Sequence, residues 1–306
     1  MKIRKNTERS NPVGGHDPQP LIAISLNLNG GEKGVIMHTN KITCRSFPAK
    51  KKNKEKIAMV TCYDYATALI MDKTEIDAVL VGDSLGMVIL GYKNTLPVTL
   101  EDTIYHTKAV SRGLTHPMLI ADMPMGSYHI SVEETLKNAI RLIKEAGAEA
   151  VKIEGGIKRV PLITKLVEAE IPVMGHIGLT PQSIHMMGGF KVQGKDKKQA
   201  EDLIADAIAL EQAGTFSIVL ECIPVHLAKE ITEKISIPTI GIGSGPFCDG
   251  QILVLYDMLG MWEQNNYKFV KTYAHLYKEI VQAIAHYRQE VVNGTFPSPE
   301  HSFEFE

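Results

Sequence analysis

The stretch A-V-K-I-E-G (150–155) is a short, mostly apolar run with an acid at its second-last position, and similar runs recur along the chain. Most copies are followed by an amphipathic helical stretch, an alternation that predicts a parallel sheet covered on both faces. Eight such units favour a closed α/β barrel, the (β/α)8 or TIM barrel, over a doubly wound sheet, which usually has fewer strands. The eight runs are residues 57–62, 78–83, 118–123, 150–155, 172–177, 217–222, 238–243 and 251–255.

The ends of several helices can be read from the sequence between these runs. Ser131 with Glu134 predicts a capping box, and Thr99 with Asp102 predicts a similar start. Residues 268–292 indicate one or two extra helices after the barrel. The predicted apolar face of the helix after Ser131 consists of Leu136, Ile140 and Ile143.

The two ends of the chain differ in character. Residues 1–36 contain prolines and paired glycines, so we predict a disordered extension there, followed by a single barrel domain over 37–306. Residues 50–56 hold five lysines, a pattern that indicates a solvated segment leading into the first strand. We expect a cytoplasmic location, with mitochondrial targeting as the alternative if 1–36 is a transit peptide.

Composition and charge exclude several classes of function. The chain has 306 residues, of which 44% are hydrophobic and 22% charged, as expected for a folded domain. A net charge of −2 gives no reason to expect nucleic acid or an anionic membrane, and small molecules are the better partners. The cysteines lie far apart and predict free thiols rather than zinc ligands. They are Cys44, Cys62, Cys222 and Cys248.

Polar residues stand at one of the last two positions of five of the eight apolar runs. Because the carboxyl ends of parallel barrel strands meet at one face, where barrel enzymes carry out their chemistry, these side chains are predicted to form one site. The five residues are Asp83, Asp122, Glu154, His176 and Glu221.

Three of these residues are carboxylates that would repel one another in a narrow, desolvated mouth. A cation resolves this repulsion, and ligands that are all oxygen favour Mg²⁺ or a similar hard metal. Asp83, Asp122 and Glu154 are the predicted ligands. Lys152 points to the same side of its strand as Glu154, so it either neutralises the carboxylates or binds an anionic group of a substrate.

The other two polar residues at the strand ends, Glu221 and His176, are each predicted to have a role of their own. Glu221, followed by Cys222 and Pro224, has the apolar setting of a general base. His176 is either a donor to a substrate oxygen or a hydrogen-bonded core histidine. The glycine-rich segment 188–195 has the features of a lid, whereas 241–245 indicates a tight turn more than a phosphate loop.

Together, several motifs resemble the ketopantoate hydroxymethyltransferase family from about residue 57 to residue 303. The resemblance implies a (β/α)8 barrel, and its motifs occur in order without large gaps. They include Y-D-Y (63–65), V-G-D-S-L-G-M (81–87), L-P-V-T (96–99), V-K-I-E-G-G (151–156), G-H-I-G-L-T-P-Q-S (175–183), G-G-F-K-V-Q-G-K (188–195), L-E-C-I-P (220–224) and I-G-I-G-S-G (240–245).

The resemblance also implies an activity and a set of roles. The family transfers a hydroxymethyl group from 5,10-methylenetetrahydrofolate to 3-methyl-2-oxobutanoate with Mg²⁺, giving 2-dehydropantoate and tetrahydrofolate in the first committed step of pantothenate synthesis. Its members are homo-oligomers, often decamers. By this resemblance Glu221 is the proton acceptor. The implied metal ligands are Asp83, Asp122 and Glu154, and the implied substrate-binding residues are Asp83, Ser84, Asp122, Lys152 and His176.

Two other functions are compatible with the same residues. A different Mg²⁺-dependent barrel, such as a lyase or mutase acting on a related enolate, would keep the three acids but form no tetrahydrofolate. An inactive oligomeric barrel kept as a binding protein would have lost a metal or base position, yet each of these positions holds a suitable residue.

Overall fold

A closed barrel of eight parallel strands forms the body of the chain, and the computed structural model describes residues 41–263 and 267–304. The strands are paired in sequence order, and the last pairs with the first. The predicted barrel is therefore confirmed, whereas the predicted extension over 1–36 lies outside the described residues. The strands are β1 (Ile57–Thr61), β2 (Ala78–Val81), β3 (Met118–Asp122), β4 (Ala150–Glu154), β5 (Val173–Gly178), β6 (Ser217–Glu221), β7 (Thr239–Ile242) and β8 (Gly250–Leu253).

Helices follow most of the strands, but the connection between β7 and β8 contains none. Short 3-10 helices occur at Ile157–Arg159, Pro181–Ser183 and Pro299–His301. The α-helices of the described chain are α1 (Ser46–Asn53), α2 (Tyr65–Met71), α3 (Leu85–Val88), α4 (Leu100–Ser111), α5 (Val132–Lys144), α6 (Val160–Glu168), α7 (Ile184–Met187), α8 (Lys197–Gln212), α9 (Val225–Lys234), α10 (Leu255–Met258) and α11 (Leu276–Asn293).

Side-chain alternation along each strand decides which residues reach the barrel axis. In β4, Val151 and Ile153 are fully buried in the apolar layer between sheet and helices. Because successive side chains of a strand point to opposite faces, Lys152 and Glu154 point into the barrel. Below them the interior is filled with apolar residues from all eight strands, so the polar side chains occupy only one end.

The opposite end of the barrel is closed by α1, which the sequence analysis did not predict. Phe47 is fully buried among the interior side chains and packs edge-on against Phe216, with ring centroids 5.2 Å apart. Lys51 Nζ lies 3.0 Å from an oxygen of Asp249. The predicted solvated lysine segment is confirmed for residues 52–56, which are exposed, but it was wrong for Lys51, which holds α1 to the barrel. Its Nζ donates to the carbonyl oxygens of Thr232, Ile235 and Ile237.

The helix ends largely follow the predicted signals. Thr99 and Asp102 form a reciprocal capping box at the start of α4. At α5 the Ser131 hydroxyl accepts a hydrogen bond from the Glu134 amide, but the return bond is absent among the described contacts, so this is a simple N-cap. Ile140 is 39% exposed, and its predicted place on the buried face was wrong. Successive residues of an α-helix lie about 100° apart around its axis, and only a narrow stripe of α5 is buried. It consists of Thr135, Ala139 and Leu142.

The chain after the barrel forms one long helix, α11, within the predicted range for extra helices. No residue of α11 is buried. Apart from the four-residue helix α7, every other described α-helix buries at least one residue, so α11 differs from the long helices of the barrel in leaving its apolar side unburied. Among the described residues, no helix combines the length and apolar character needed to cross a membrane.

Candidate active site

The predicted site residues converge in one cavity at the carboxyl ends of the strands. Its volume is about 710 Å³. The structure brings every predicted member to this cavity, while the individual roles remain predictions. The members that line it are Asp83, Ser84, Asp122, Lys152, Glu154, His176 and Glu221.

Lys152 lies among Asp83, Asp122 and Glu154, and these four residues form the floor of the cavity. Its ammonium is 2.8 Å from Asp122 Oδ1 and 3.6 Å from Glu154 Oε1. Lys152, Asp122 and Glu154 are each at most 3% exposed, so these charges are almost completely removed from water. Breaking such a buried ion pair is costly, because the remaining charge has no compensation.

Asp83 is joined to this cluster through the backbone. Its amide donates to Asp122 Oδ2 at 3.1 Å, which fixes the end of β2 against the end of β3. Burial raises the pKa of Asp83 well above its ordinary value, and repulsion from Asp122 and Glu154 raises it further. At Asp83 the positive charge of Lys152 is therefore too small to offset burial and the negative charges of Asp122 and Glu154.

The pKa values of the other two acids differ because their positions relative to Lys152 and His176 differ. Burial raises the pKa of Asp122, and the Lys152 charge only partly offsets this. Burial also acts to raise the pKa of Glu154, but Lys152 and a hydrogen bond with His176 outweigh it, and the value is lowered. Glu154 therefore carries the most stable negative charge of the three.

His176 connects the floor to the predicted base. Its Nε2 is 3.2 Å from Glu221 Oε2, and its Nδ1 is 3.5 Å from Glu154 Oε1. Burial and the charge of Lys152 act to lower the pKa of His176, but interaction with the two glutamates raises it to about 9. A protonated imidazole offers Lys152 no acceptor, so their 3.2 Å contact is held by the surrounding carboxylates. His176 thereby orients the Glu221 carboxylate.

Gln182 is a site residue that the sequence analysis did not single out. Its side-chain amide donates to Asp83 Oδ2 at 2.9 Å, and its backbone amide donates to Glu154 Oε2 at 3.0 Å. Tyr128 donates to its side-chain oxygen at 2.7 Å. Gln182 therefore fixes two of the acids at once. A neutral residue in a short 3-10 helix carries no pattern that marks it, although it lies within the motif 175–183.

Tyr63 is a second residue found only in the structure. Its hydroxyl lies 2.8 Å from Ser84 Oγ, and burial raises the pKa of the phenol, so it stays protonated as a donor or acceptor. Ser84 itself is the residue before α3 and faces the cavity. The buried Tyr63 ring thus supports the Ser84 hydroxyl from behind.

The floor offers oxygen donors for a metal, but they are not arranged as a closed metal site. Within the described ranges, no three His, Cys, Asp or Glu side chains are close enough together to hold one ion. Asp122 Oδ1 and Glu154 Oε1 are nevertheless buried, and their charged neighbours are the Lys152 ammonium, at 2.8 and 3.6 Å, and, for Glu154, His176 Nδ1 at 3.5 Å. Carboxylate oxygens of this kind suit a hard divalent cation that completes its shell with water and substrate oxygens. The donor set therefore fits Mg²⁺.

The mouth of the cavity is aromatic and carries the predicted lid. Phe190 and Lys191, from the glycine-rich segment 188–195, line the cavity. The Gln193 amide donates to the carbonyl oxygen of Cys222 at 2.9 Å, which ties this segment to the end of β6 next to Glu221. The rings of Trp262, Tyr267 and Phe269 line the same cavity.

The second glycine-rich segment, 241–245, forms a tight turn. Ser244 is fully buried, and its hydroxyl donates to the carbonyl oxygen of Leu220 at 2.7 Å. Gly243 and Gly245 have φ angles of 67° and 81°, which favour glycine. The turn joins β7 to the end of β6 and keeps Glu221 in place.

Solved structures share this fold. 2,3-Dimethylmalate lyase, described as a member of the PEP mutase/isocitrate lyase superfamily, aligns with a TM-score of 0.55 at 14% identity, covering 87% of this chain and 90% of that chain. Phosphonopyruvate hydrolase in complex with oxalate and Mg²⁺ aligns with a TM-score of 0.55 at 10% identity, covering 84% and 92%. These likenesses show the fold alone. Fold and site together define a (β/α)8-barrel enzyme with buried acids at the strand ends.

The chain belongs to the ketopantoate hydroxymethyltransferase family, which it matches over residues 41–299. The 3-methyl-2-oxobutanoate hydroxymethyltransferase of Syntrophomonas wolfei is 55% identical over 263 residues, or 86% of this chain and 95% of that protein. The protein of the same name from Thermoanaerobacter sp. is 56% identical over 265 residues, or 87% and 96%. The resemblance drawn from the motifs is confirmed, and the chain is a transferase.

Proposed function

We propose that this chain transfers a one-carbon unit from 5,10-methylenetetrahydrofolate to 3-methyl-2-oxobutanoate, with Mg²⁺ bound at the acidic floor. The observation that carries the proposal is the placement of Glu221 in the same cavity as the Lys152 cluster, with His176 between them. A base that faces a buried cationic and acidic floor suits proton removal next to a carbonyl group.

The floor supplies the binding contacts for the oxo acid. Lys152 provides a buried cation for its carboxylate, and Ser84 provides a hydroxyl that Tyr63 supports. Asp83 and Asp122 would hold the metal, with Glu154 as the third acid nearby. When bound, Mg²⁺ supplies positive charge that stabilises the enolate oxygen. Gln182 and the Asp83 amide keep these acids in position.

The reaction balances with residues of this site and one water molecule. Glu221 takes the C3 proton, and the electron pair of the C–H bond becomes that of the enolate. C3 then bonds to the one-carbon unit, whose bonds to the folate nitrogens break. Water supplies the hydroxyl group of the product, and its second proton, together with the proton that Glu221 took, goes to the two folate nitrogens, which leaves Glu221 ionised again. The products are 2-dehydropantoate and tetrahydrofolate.

The function is tested by NMR of 3-methyl-2-oxobutanoate with the enzyme in D₂O. We expect exchange of the C3 proton that depends on Mg²⁺ and, once methylenetetrahydrofolate is added, formation of 2-dehydropantoate and tetrahydrofolate together. Exchange without tetrahydrofolate would instead identify a lyase or mutase that handles a related enolate. A folded protein that binds metal but catalyses neither step would contradict the proposal.

Asp122→Asn tests the metal site. Since this change removes a charged oxygen ligand, we expect turnover to be abolished at the Mg²⁺ concentration that saturates the wild type. Direct binding of Mn²⁺, followed by electron paramagnetic resonance, should weaken at least about tenfold. Asp202→Asn, at an exposed acid on α8, is the matched control and should change neither quantity. Wild-type Mn²⁺ affinity in Asp122→Asn would overturn the assignment.

We also propose a homo-oligomer, with a decamer as the form that family resemblance implies. Most of the stability of a helix in a protein comes from packing of its apolar face, so the apolar stripe of α11 needs a partner. The stripe repeats at intervals of four and three residues, as in helices that pack side by side. Its members are Ile280, Ile284, Tyr287 and Val291, which are 41%, 63%, 57% and 46% exposed.

Ile284→Glu tests this interface. A charge in the middle of the stripe opposes its burial, so we expect a smaller species by size-exclusion chromatography with light scattering. Gln282→Glu, on the opposite side of α11, should leave the mass unchanged. A wild-type mass for Ile284→Glu, or a monomeric wild type, would contradict the proposed interface.

A further inference from the structure

The large cavity has two chemically different parts. The floor is polar and charged around Lys152, whereas the mouth is lined by aromatic rings. Cavities of about 300–1,000 Å³ typically enclose whole drug-sized ligands. The volume of about 710 Å³ therefore leaves most of the space above a small oxo acid on the floor for a second, larger molecule.

One side of the mouth presents flat apolar surfaces. Trp262, Tyr267 and Phe269 are 41%, 45% and 38% exposed, so each ring is part buried and keeps part of its surface open. The rings of Tyr267 and Phe269 are near-parallel, with an interplanar angle of 30° and centroids 5.7 Å apart. Fixed rings of this kind are suited to stack a planar ligand, because aromatic contacts add to the gain from burial.

Asp257 stands beside these rings, and the activity described so far does not use it. It lies on α10, just beyond the carboxyl end of β8, and is 9% exposed while lining the cavity. Its Oδ1 accepts a hydrogen bond of 3.0 Å from Trp262 Nε1, which fixes the indole. Burial raises the pKa of Tyr267, and the charges of Asp257 and Glu221 raise it further; all three residues line the same cavity.

From this juxtaposition we propose that Asp257, Trp262, Tyr267 and Phe269 form the subsite for the pteridine ring of the folate co-substrate. This rests on the proposed function. The 2-amino-4-oxo pteridine has a planar pyrimidine ring with two adjacent N–H donors, on N3 and on the 2-amino group. A carboxylate accepts both, and such charge-assisted pairs are among the stronger hydrogen bonds. The rings supply the stacking surface beside this carboxylate.

The placement also orients the co-substrate for reaction. Asp257 holds the edge of the pteridine that is remote from its one-carbon unit. Because Asp257, Tyr267 and Glu221 line the same cavity, a ring that packs beside Tyr267 with its edge on Asp257 can extend toward the base. The one-carbon unit is then presented to the C3 atom that Glu221 deprotonates, while the floor residues hold the oxo acid.

The single tryptophan of the chain, Trp262, makes binding at this subsite directly measurable. Tetrahydrofolate stacked beside it should quench its fluorescence, and the titration gives a Kd. In Asp257→Asn the amide keeps an oxygen for the indole but turns a donor toward the donors of the pteridine. We expect Kd for tetrahydrofolate to rise about 10- to 100-fold. Glu233→Gln, an exposed acid on α9, is the control.

Kinetics separate this subsite from a purely structural role. Asp257→Asn should raise KM for methylenetetrahydrofolate by a similar factor, and C3 proton exchange without folate should stay at the wild-type rate. An unchanged folate KM, or a parallel loss of exchange, would overturn the subsite. Tetrahydrofolate binding that depends on Asp257 in a wild type that forms no 2-dehydropantoate would retain the subsite and contradict the proposed function.

Discussion

Glu221→Gln is expected to slow exchange of the C3 proton of 3-methyl-2-oxobutanoate about 10²- to 10⁴-fold, the usual contribution of a general base. The amide has the shape of the carboxylate but cannot take the proton. The contact with His176 Nε2, at 3.2 Å in the wild type, can still form through the amide oxygen, so the fold and binding of the oxo acid should persist. NMR in D₂O measures the exchange, and isothermal calorimetry measures binding.

Glu230→Gln is the matched control for this change. It lies on α9, where its side chain is 50% exposed and pairs only loosely with Lys234, at 3.7 Å. It should exchange the C3 proton at the wild-type rate. If Glu221→Gln does so as well, another group is the base and the proposed mechanism fails at its first step.

Lys152→Met is expected to have the largest effect on stability. Removing the ammonium leaves Asp122 as a buried carboxylate without a positive partner and Glu154 with only His176, a loss that typically costs about 3–5 kcal/mol. Urea unfolding followed by circular dichroism measures the free energy of unfolding. The variant should also lose turnover, because the oxo acid loses its cationic contact on the floor.

A double variant distinguishes lost charge from lost packing. Lys152→Met with Asp122→Asn removes a charge of each sign, and we expect it to be more stable than Lys152→Met alone. Lys165→Met, which breaks an exposed ion pair with Glu168, should change the free energy of unfolding by less than about 1 kcal/mol. If Lys152→Met has the same free energy of unfolding as Lys165→Met, removal of the ammonium leaves no uncompensated charge on the floor.

The barrel and its acidic floor could be predicted because both follow from a local pattern. Each strand is a short apolar run. An acid near the end of a buried run such as 150–155 is unusual, and it indicates a functional site. The alternation of β4 then places Lys152 beside Glu154 without any knowledge of the other strands. The structure confirms this grouping, since the two side chains meet on the floor.

Other parts of the site could not be predicted because their signals are not local. Gln182 is neutral and acts only through partners far away in the chain, and Asp257 lies in a helix of four residues beyond the last strand. The lysines of α1 look like a solvated segment until Lys51 meets carbonyl oxygens contributed by residues nearly two hundred positions later. In each case tertiary contact gives the residue its role.

The closed base of the barrel has a consequence for the order of events during turnover. Phe47 and α1 fill the end opposite the cavity, so both reactants must enter and leave through one opening. If the folate ring packs at the mouth, it covers whatever rests on the floor. The oxo acid must then bind first, and tetrahydrofolate must depart before 2-dehydropantoate. Steady-state kinetics would follow an ordered sequence in which 2-dehydropantoate competes with the oxo acid for the free enzyme.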